Sequence, residues 1–204
     1  MIVKICGLMS SVDAIYANMA GPDMVGMVFS RGRRRTVAKD QASQICSMLG
    51  SIERVGVFVD EEPEYIADIV DSGLVDTVQL HGVDDSRFKA VREAVSVPII
   101  RAYIVKSRED VQQAASCEAD RVILDAGMGS GRTIDWSLLE DVGFPYILSG
   151  GLDPSNILEA IRRLHPEGVD VSSGVETNGI KDPTKMTSFV YAARGNFEPI
   201  IEHH

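Results

Sequence analysis

At 204 residues and 22.2 kDa the chain is long enough for one domain with a substantial core and short for two. Hydrophobic residues at 45% and charged residues at 25% match an ordinary globular protein, which excludes a disordered, collagen-like or disulfide-scaffold chain. Twenty Lys and Arg against 30 Asp and Glu leave a net charge of −10; that balance repels a phosphate backbone and an anionic membrane alike, so an anionic small substrate needs a local positive site.

In chain order, short β-branched runs at 2–6, 24–29, 54–59, 77–80, 98–103, 121–125, 146–149 and 168–172 predict strands. Helical patterns at 11–19, 39–49, 63–72, 86–94, 108–115, 136–140, 154–164 and 183–193 fall between and after them. Asp153 and Asp182 sit where N-caps belong, each followed by a proline at the first helical position, Pro154 and Pro183. Eight strand–helix units favour a closed (β/α)8 TIM barrel over an open doubly wound sheet. Residues 1–200 are expected to form a single catalytic domain. Residues 201–204, ending in His203 and His204, are a tail of the kind a purification tag leaves.

Cys6, Cys46 and Cys117 are an odd number with no CxxC pair. The N-terminus carries no basic leader with an apolar run, and no apolar stretch nears the roughly 20 residues that span a bilayer. A reducing, cytoplasmic setting is expected, without a membrane and without a metal site.

In a TIM barrel, chemistry sits at the C-terminal ends of the strands. Alternation on the first strand puts Lys4 and Cys6 toward the interior if Val3 and Ile5 pack under helices. An interior lysine must be paired, and Asp170 on the last strand is its predicted partner. Cys6, one pleat higher, would stand at the mouth, where a nearby cation favours the thiolate; a small buried hydrophobe is the plainer alternative. Asp125 ends the apolar strand RVILD beside a glycine-rich loop containing Gly129, and points into the mouth as a candidate general acid or as a brace for that loop.

Two glycine-rich turns, Ser149-Gly150-Gly151 and Ser172-Ser173-Gly174, follow the seventh and eighth strands, the recurrent phosphate site of this architecture. Arg31, Arg33, Arg34 and Arg35 crowd the loop after the second strand of an acidic protein. Without interleaved aromatics the run does not read as a nucleic-acid surface; one arginine clamping a carboxylate, with the others solvated, fits better. Gln79 and His81 share a face at the end of the fourth strand, either lining the pocket or as structural polar residues.

Lys4-Ile5-Cys6-Gly7, GMVFSRGRRR at 26–35, VQLHG at 78–82, LDAGMGSGRTIDW at 124–136, LSGGL at 148–152, DVSSGVE at 170–176 and GIKD at 179–182 together resemble the phosphoribosylanthranilate isomerase family. The resemblance runs from about Ile2 to Val190. It implies a cofactor-free Amadori rearrangement of N-(5-phosphoribosyl)anthranilate to 1-(2-carboxyphenylamino)-1-deoxyribulose 5-phosphate in tryptophan biosynthesis, by a monomer or a homodimer. Carried onto this chain, Cys6 is the general base, Asp125 the general acid and Arg35 the ligand of the anthranilate carboxylate. Gly150, Gly151, Ser173 and Gly174 would hold the phosphate, with Gln79, His81 and Gly129 nearby. Met128 stands where a glycine is usual, and Arg31-Gly32-Arg33 replaces a Pro-Lys-Ser-like stretch, leaving open which arginine reaches the carboxylate. The related histidine-pathway isomerase resembles a pair of opposed aspartates, which Cys6 disfavours. A non-catalytic phosphosugar sensor would be expected to lack the acid or the base.

Overall fold

The structure is a computed structural model that describes residues 1–125 and 136–195. Its first six units are β1 (Ile2–Cys6), α1 (Ser11–Ala20), β2 (Met24–Val28), α2 (Lys39–Met48), β3 (Glu53–Phe58), α3 (Pro63–Asp71), β4 (Thr77–His81), α4 (Asp85–Ala94), β5 (Ile99–Ile104), α5 (Arg108–Ala115) and β6 (Arg121–Asp125). A 3-10 turn at Trp136–Leu139 leads to β7 (Ile147–Ser149), α6 (Ile157–Leu164) and β8 (Gly168–Val171). A second 3-10 turn at Ser173–Val175, a hairpin of β9 (Glu176–Thr177) and β10 (Ile180–Lys181), and α7 (Pro183–Ala193) follow. Strands β1 to β8 pair in parallel and in sequence order, and β8 returns to β1: the fold is the predicted closed (β/α)8 barrel.

Period-two alternation divides each strand between two apolar layers. Val3, Ile5, Val25, Met27, Val78, Leu80, Leu124, Leu148, Val169 and Val171 face outward and are buried beneath the helices. Met24, Val55, Ile100, Ala102, Ile123 and Ile147 fill the interior. Burying each such aliphatic side chain stabilises the fold by about 1.5–3 kcal/mol, so the pattern fixes which face of every strand looks inward.

The interior also holds the predicted ion pair. Lys4 and Asp170 are direct neighbours in the β1–β8 register, and Lys4 Nζ donates to Asp170 Oδ1 at 2.9 Å. Burial opposes the charge on Lys4, but Asp170 and then Cys6 outweigh it and hold its pKa above the ordinary lysine value.

Caps set the helix starts. Ser10 and Asp13 form a capping box on α1, and Asp182 caps α7 by accepting from the backbone N–H groups of Thr184 and Lys185 at 2.9 and 3.1 Å. The start predicted at 154 is too early. Asp153 instead closes a turn, accepting from the N–H of Ser155 and of Asn156, and α6 begins at Ile157. The β9–β10 hairpin was not predicted. Its turn is Asn178-Gly179, with φ of 53° and 81°, the left-handed pair that a tight two-residue hairpin requires. Among the described residues, no helix is long and apolar enough to cross a membrane.

Candidate active site

A cavity of about 300 Å³ opens at the C-terminal ends of the strands. Its wall includes Cys6 from β1, Arg33, Arg34 and Arg35 after β2, His81 from β4 and Asp125 from β6. Ser149, Gly150, Gly151 and Leu152 after β7, and Asp170, Ser172 and Ser173 after β8, complete the side that sequence reasoning assigned to phosphate. The volume lies at the lower end of the range for small-molecule sites.

Cys6 ends β1 on the inward face, as predicted, and is buried. Its predicted ionisation is corrected: burial pushes the thiol above its ordinary pKa, and the positive charges of Lys4 and Lys181 only partly counter this, while Asp170 adds to it. Removing the thiol from water costs the thiolate more than two buried lysines, each already tied to a carboxylate, return. Asp125 is buried at the end of β6, and its Oδ2 lies 3.7 Å from His81 Nε2.

The loop after β7 is pinned by Asn156, whose Nδ2 donates to Gly151 O at 2.8 Å and whose Oδ1 accepts from Asp153 N at 2.9 Å. Gly150 and Gly151 both adopt left-handed backbone, with φ of 97° and 64°. Gly174 does not line the cavity. It packs against the loop after β7, where a Cβ atom would fall 1.9 Å from Leu152 O. Gln79 also lies off the wall, buried on β4 one pleat beneath His81; its Oε1 has no hydrogen-bond partner among the described residues. Gly129 lies outside the described residues. Arg101 faces away from the interior and is enclosed between the Phe88 and Tyr103 rings, so it plays no part in the cavity.

Arg31, Arg33 and Arg34 of the arginine run are exposed, as expected of its solvated members, but Arg34 and Arg35 also bind a carboxylate of this chain. Arg35 grips Glu176 with two bonds, Nε to Oε1 at 2.7 Å and Nη2 to Oε2 at 3.1 Å. Arg34 binds the same carboxylate and also donates Nη1 to Gly179 O at 2.9 Å. Lys181, buried on β10, donates to Glu176 Oε1 at 3.1 Å and to Ser172 O at 2.8 Å. Burial alone would push the Glu176 carboxyl up; the Arg35 hydrogen bonds, Lys181 and Arg34 outweigh it and bring the pKa down to about 2. Burial likewise lowers the pKa of Lys181, which Glu176 partly restores.

Glu176 and Lys181 were missed by sequence reasoning, although both lie inside quoted motifs and the Asn178-Gly179 signal between them marks a hairpin that sets them side by side. Gly7 completes the group. With φ +82° and a would-be Cβ 2.4 Å from Arg35 Cδ, it lets the arginine stem lie directly over the backbone next to Cys6. Among the described residues no three or more His, Cys, Asp or Glu side chains gather as metal ligands.

Residues 3–192 match the family model described as N-(5'phosphoribosyl)anthranilate (PRA) isomerase. The chain is similar to the N-(5'-phosphoribosyl)anthranilate isomerase of Lactiplantibacillus plantarum, 42% identical over 94% of this chain and 91% of that protein. It is similar to that of Endomicrobium trichonymphae at 38% over 94% and 98%. A crystal structure of the Thermotoga maritima phosphoribosyl anthranilate isomerase superposes with a TM-score of 0.85 at 36% identity, covering 96% of this chain and all of that one. The motifs, the barrel and these likenesses agree: the chain is an isomerase belonging to the N-(5'-phosphoribosyl)anthranilate isomerase family.

Proposed function

We propose that this chain converts N-(5-phosphoribosyl)anthranilate to 1-(2-carboxyphenylamino)-1-deoxyribulose 5-phosphate in the tryptophan pathway, with Cys6 as general base and Asp125 as general acid. In this reading residues 1–200 are one catalytic domain, working without a cofactor in the cytoplasm as a monomer or a homodimer. The observation that carries it is a single cavity with a thiol and a carboxyl from β1 and β6, glycine- and serine-rich loops after β7 and β8, and an arginine cluster after β2. One solved relative is described as a complex with the reduced form of that product, and another as monomers generated from a dimeric enzyme, which supports the substrate class and both oligomeric states.

Asp125 gives a proton to the ribose ring oxygen as the C1–O bond breaks, and the nitrogen lone pair forms a protonated imine at C1. Cys6, as thiolate, takes the C2 proton. The released electron pair forms the C1–C2 double bond of an enolamine and neutralises the imine. Tautomerisation then leaves C2 oxidised to a ketone and C1 reduced to a methylene, so no external redox partner enters. The phosphate rests on Gly150, Gly151 and Ser173, with Gly174 packing the second turn against the first from behind, and the substrate carboxylate rests on Arg35, which fixes the sugar between base and acid.

Cys6→Ala and Asp125→Asn are each expected to lower kcat about 10²–10⁴-fold, followed by loss of substrate fluorescence. Wild-type turnover in either variant rejects the assignment. Arg35→Ala is expected to raise KM more than it weakens binding of a bare sugar phosphate.

A further inference from the structure

Arginine presents two edges that accept a carboxylate: a side-on edge of Nε and Nη2, and an end-on edge of Nη1 and Nη2. Glu176 occupies the side-on edge of Arg35, through Nε at 2.7 Å and Nη2 at 3.1 Å. The end-on edge is therefore turned away from Glu176. Arg35 lines the cavity with 20% of its side chain exposed, whereas the Glu176 side chain is 5% exposed and lies behind it. Glu176 is in turn fixed by Lys181, by Arg34 and by its place on β9.

We propose that Glu176 is a positioning residue that sets the specificity of the site, holding the Arg35 guanidinium by one edge so that the other meets an aromatic carboxylate in the cavity. The proposal rests on the assignment of Arg35 to the substrate carboxylate and adds how that arginine is aimed. A guanidinium at the end of four rotatable bonds would otherwise sample many directions, and a planar two-bond contact fixes both its position and its plane. The three cations around Glu176 keep its carboxylate charged, so it does not release Arg35 by protonation at neutral pH.

The test compares two inhibitors: the reduced aryl-amino sugar phosphate carrying the ortho-carboxylate, and the same compound made from aniline, which lacks it. Their inhibition constants are measured for the wild type, Glu176→Gln, Arg35→Ala and Arg35→Lys. Glu176→Gln keeps the shape and removes the charge and one acceptor. It is expected to raise KM and weaken the carboxylated inhibitor about 10-fold or more, with kcat within about 3-fold and the aniline analogue held as before. Equal weakening of both inhibitors means a general structural role and overturns the proposal, as does unchanged discrimination.

If Arg35→Ala keeps the discrimination, the carboxylate assignment itself fails. If Arg35→Ala loses it while Glu176→Gln keeps it, only the positioning role fails. Arg35→Lys tests the two-edge geometry with Glu176 intact, and so serves where Glu176→Gln does not fold: a point charge has no second planar edge, so it is expected to lose the discrimination, and retention overturns the proposal.

Discussion

At the scale of single residues, Cys6 shows how local charge and local solvation compete. Lys4 and Lys181 both favour its thiolate, yet burial dominates and the thiol stays above its ordinary value. The proposed role of general base requires the thiolate, so in that reading the reactive fraction is small at neutral pH and grows as pH rises. The rate constant kcat/KM is therefore expected to keep climbing past about pH 8.5, the value for an unperturbed thiol, in a stopped-flow or steady-state pH series. A plateau reached below pH 7 would contradict this. Alternation in the sequence correctly placed Lys4 beneath Cys6, because period two needs only the positions of neighbouring apolar residues. It carries no information on how much water reaches the sulfur, and for that reason the direction of the shift was misread.

At the scale of elements, the two turns after β7 and β8 act as one unit because they touch at Gly174. A methyl group added there meets Leu152 O, a backbone atom that gives way only if the turns separate. Gly174→Ala is expected to cost about 1–3 kcal/mol in urea unfolding, as overpacking does, and to raise KM with little change in kcat. The elements themselves were largely legible: every one of the eight barrel strands was predicted within two residues at each end, since β-branched runs and flanking helices repeat in step. The start of α6 was not, because Asp153-Pro154 has the chemistry of a cap whether or not a helix follows at once. Asn156 decides the matter by reaching back to Gly151 rather than onward. The β9–β10 hairpin escaped for another reason: strands of two residues each show no periodicity, and only Asn178-Gly179 announces them.

At the scale of the whole molecule, closure brings together residues that are remote in the chain. Lys4 and Asp170 lie 166 positions apart and meet because β8 returns to β1. Lys4→Met leaves a carboxylate buried without its partner, so a loss of about 3–5 kcal/mol is expected by urea titration. A loss under about 1 kcal/mol would mean that water reaches the pair. That partnership was foreseeable once a closed barrel was inferred, because adjacency of first and last strands follows from topology. The Arg35–Glu176 contact was not, since it joins a loop to a hairpin and no strand register specifies it.

That contact spans 141 positions, with the arginine made early and the glutamate late. During synthesis from the N-terminus, all eight barrel strands can emerge from the ribosome while the arginine cluster still lacks the carboxylate that holds Arg35. On the proposed roles, a nascent chain stopped before β9 would thus carry a thiol, a carboxyl and both phosphate turns, but no oriented receiver for the aromatic acid. On the proposed positioning role, recognition of the substrate's aromatic end is acquired only with the last tenth or so of the described chain, so a truncated translation product would be blind to that end.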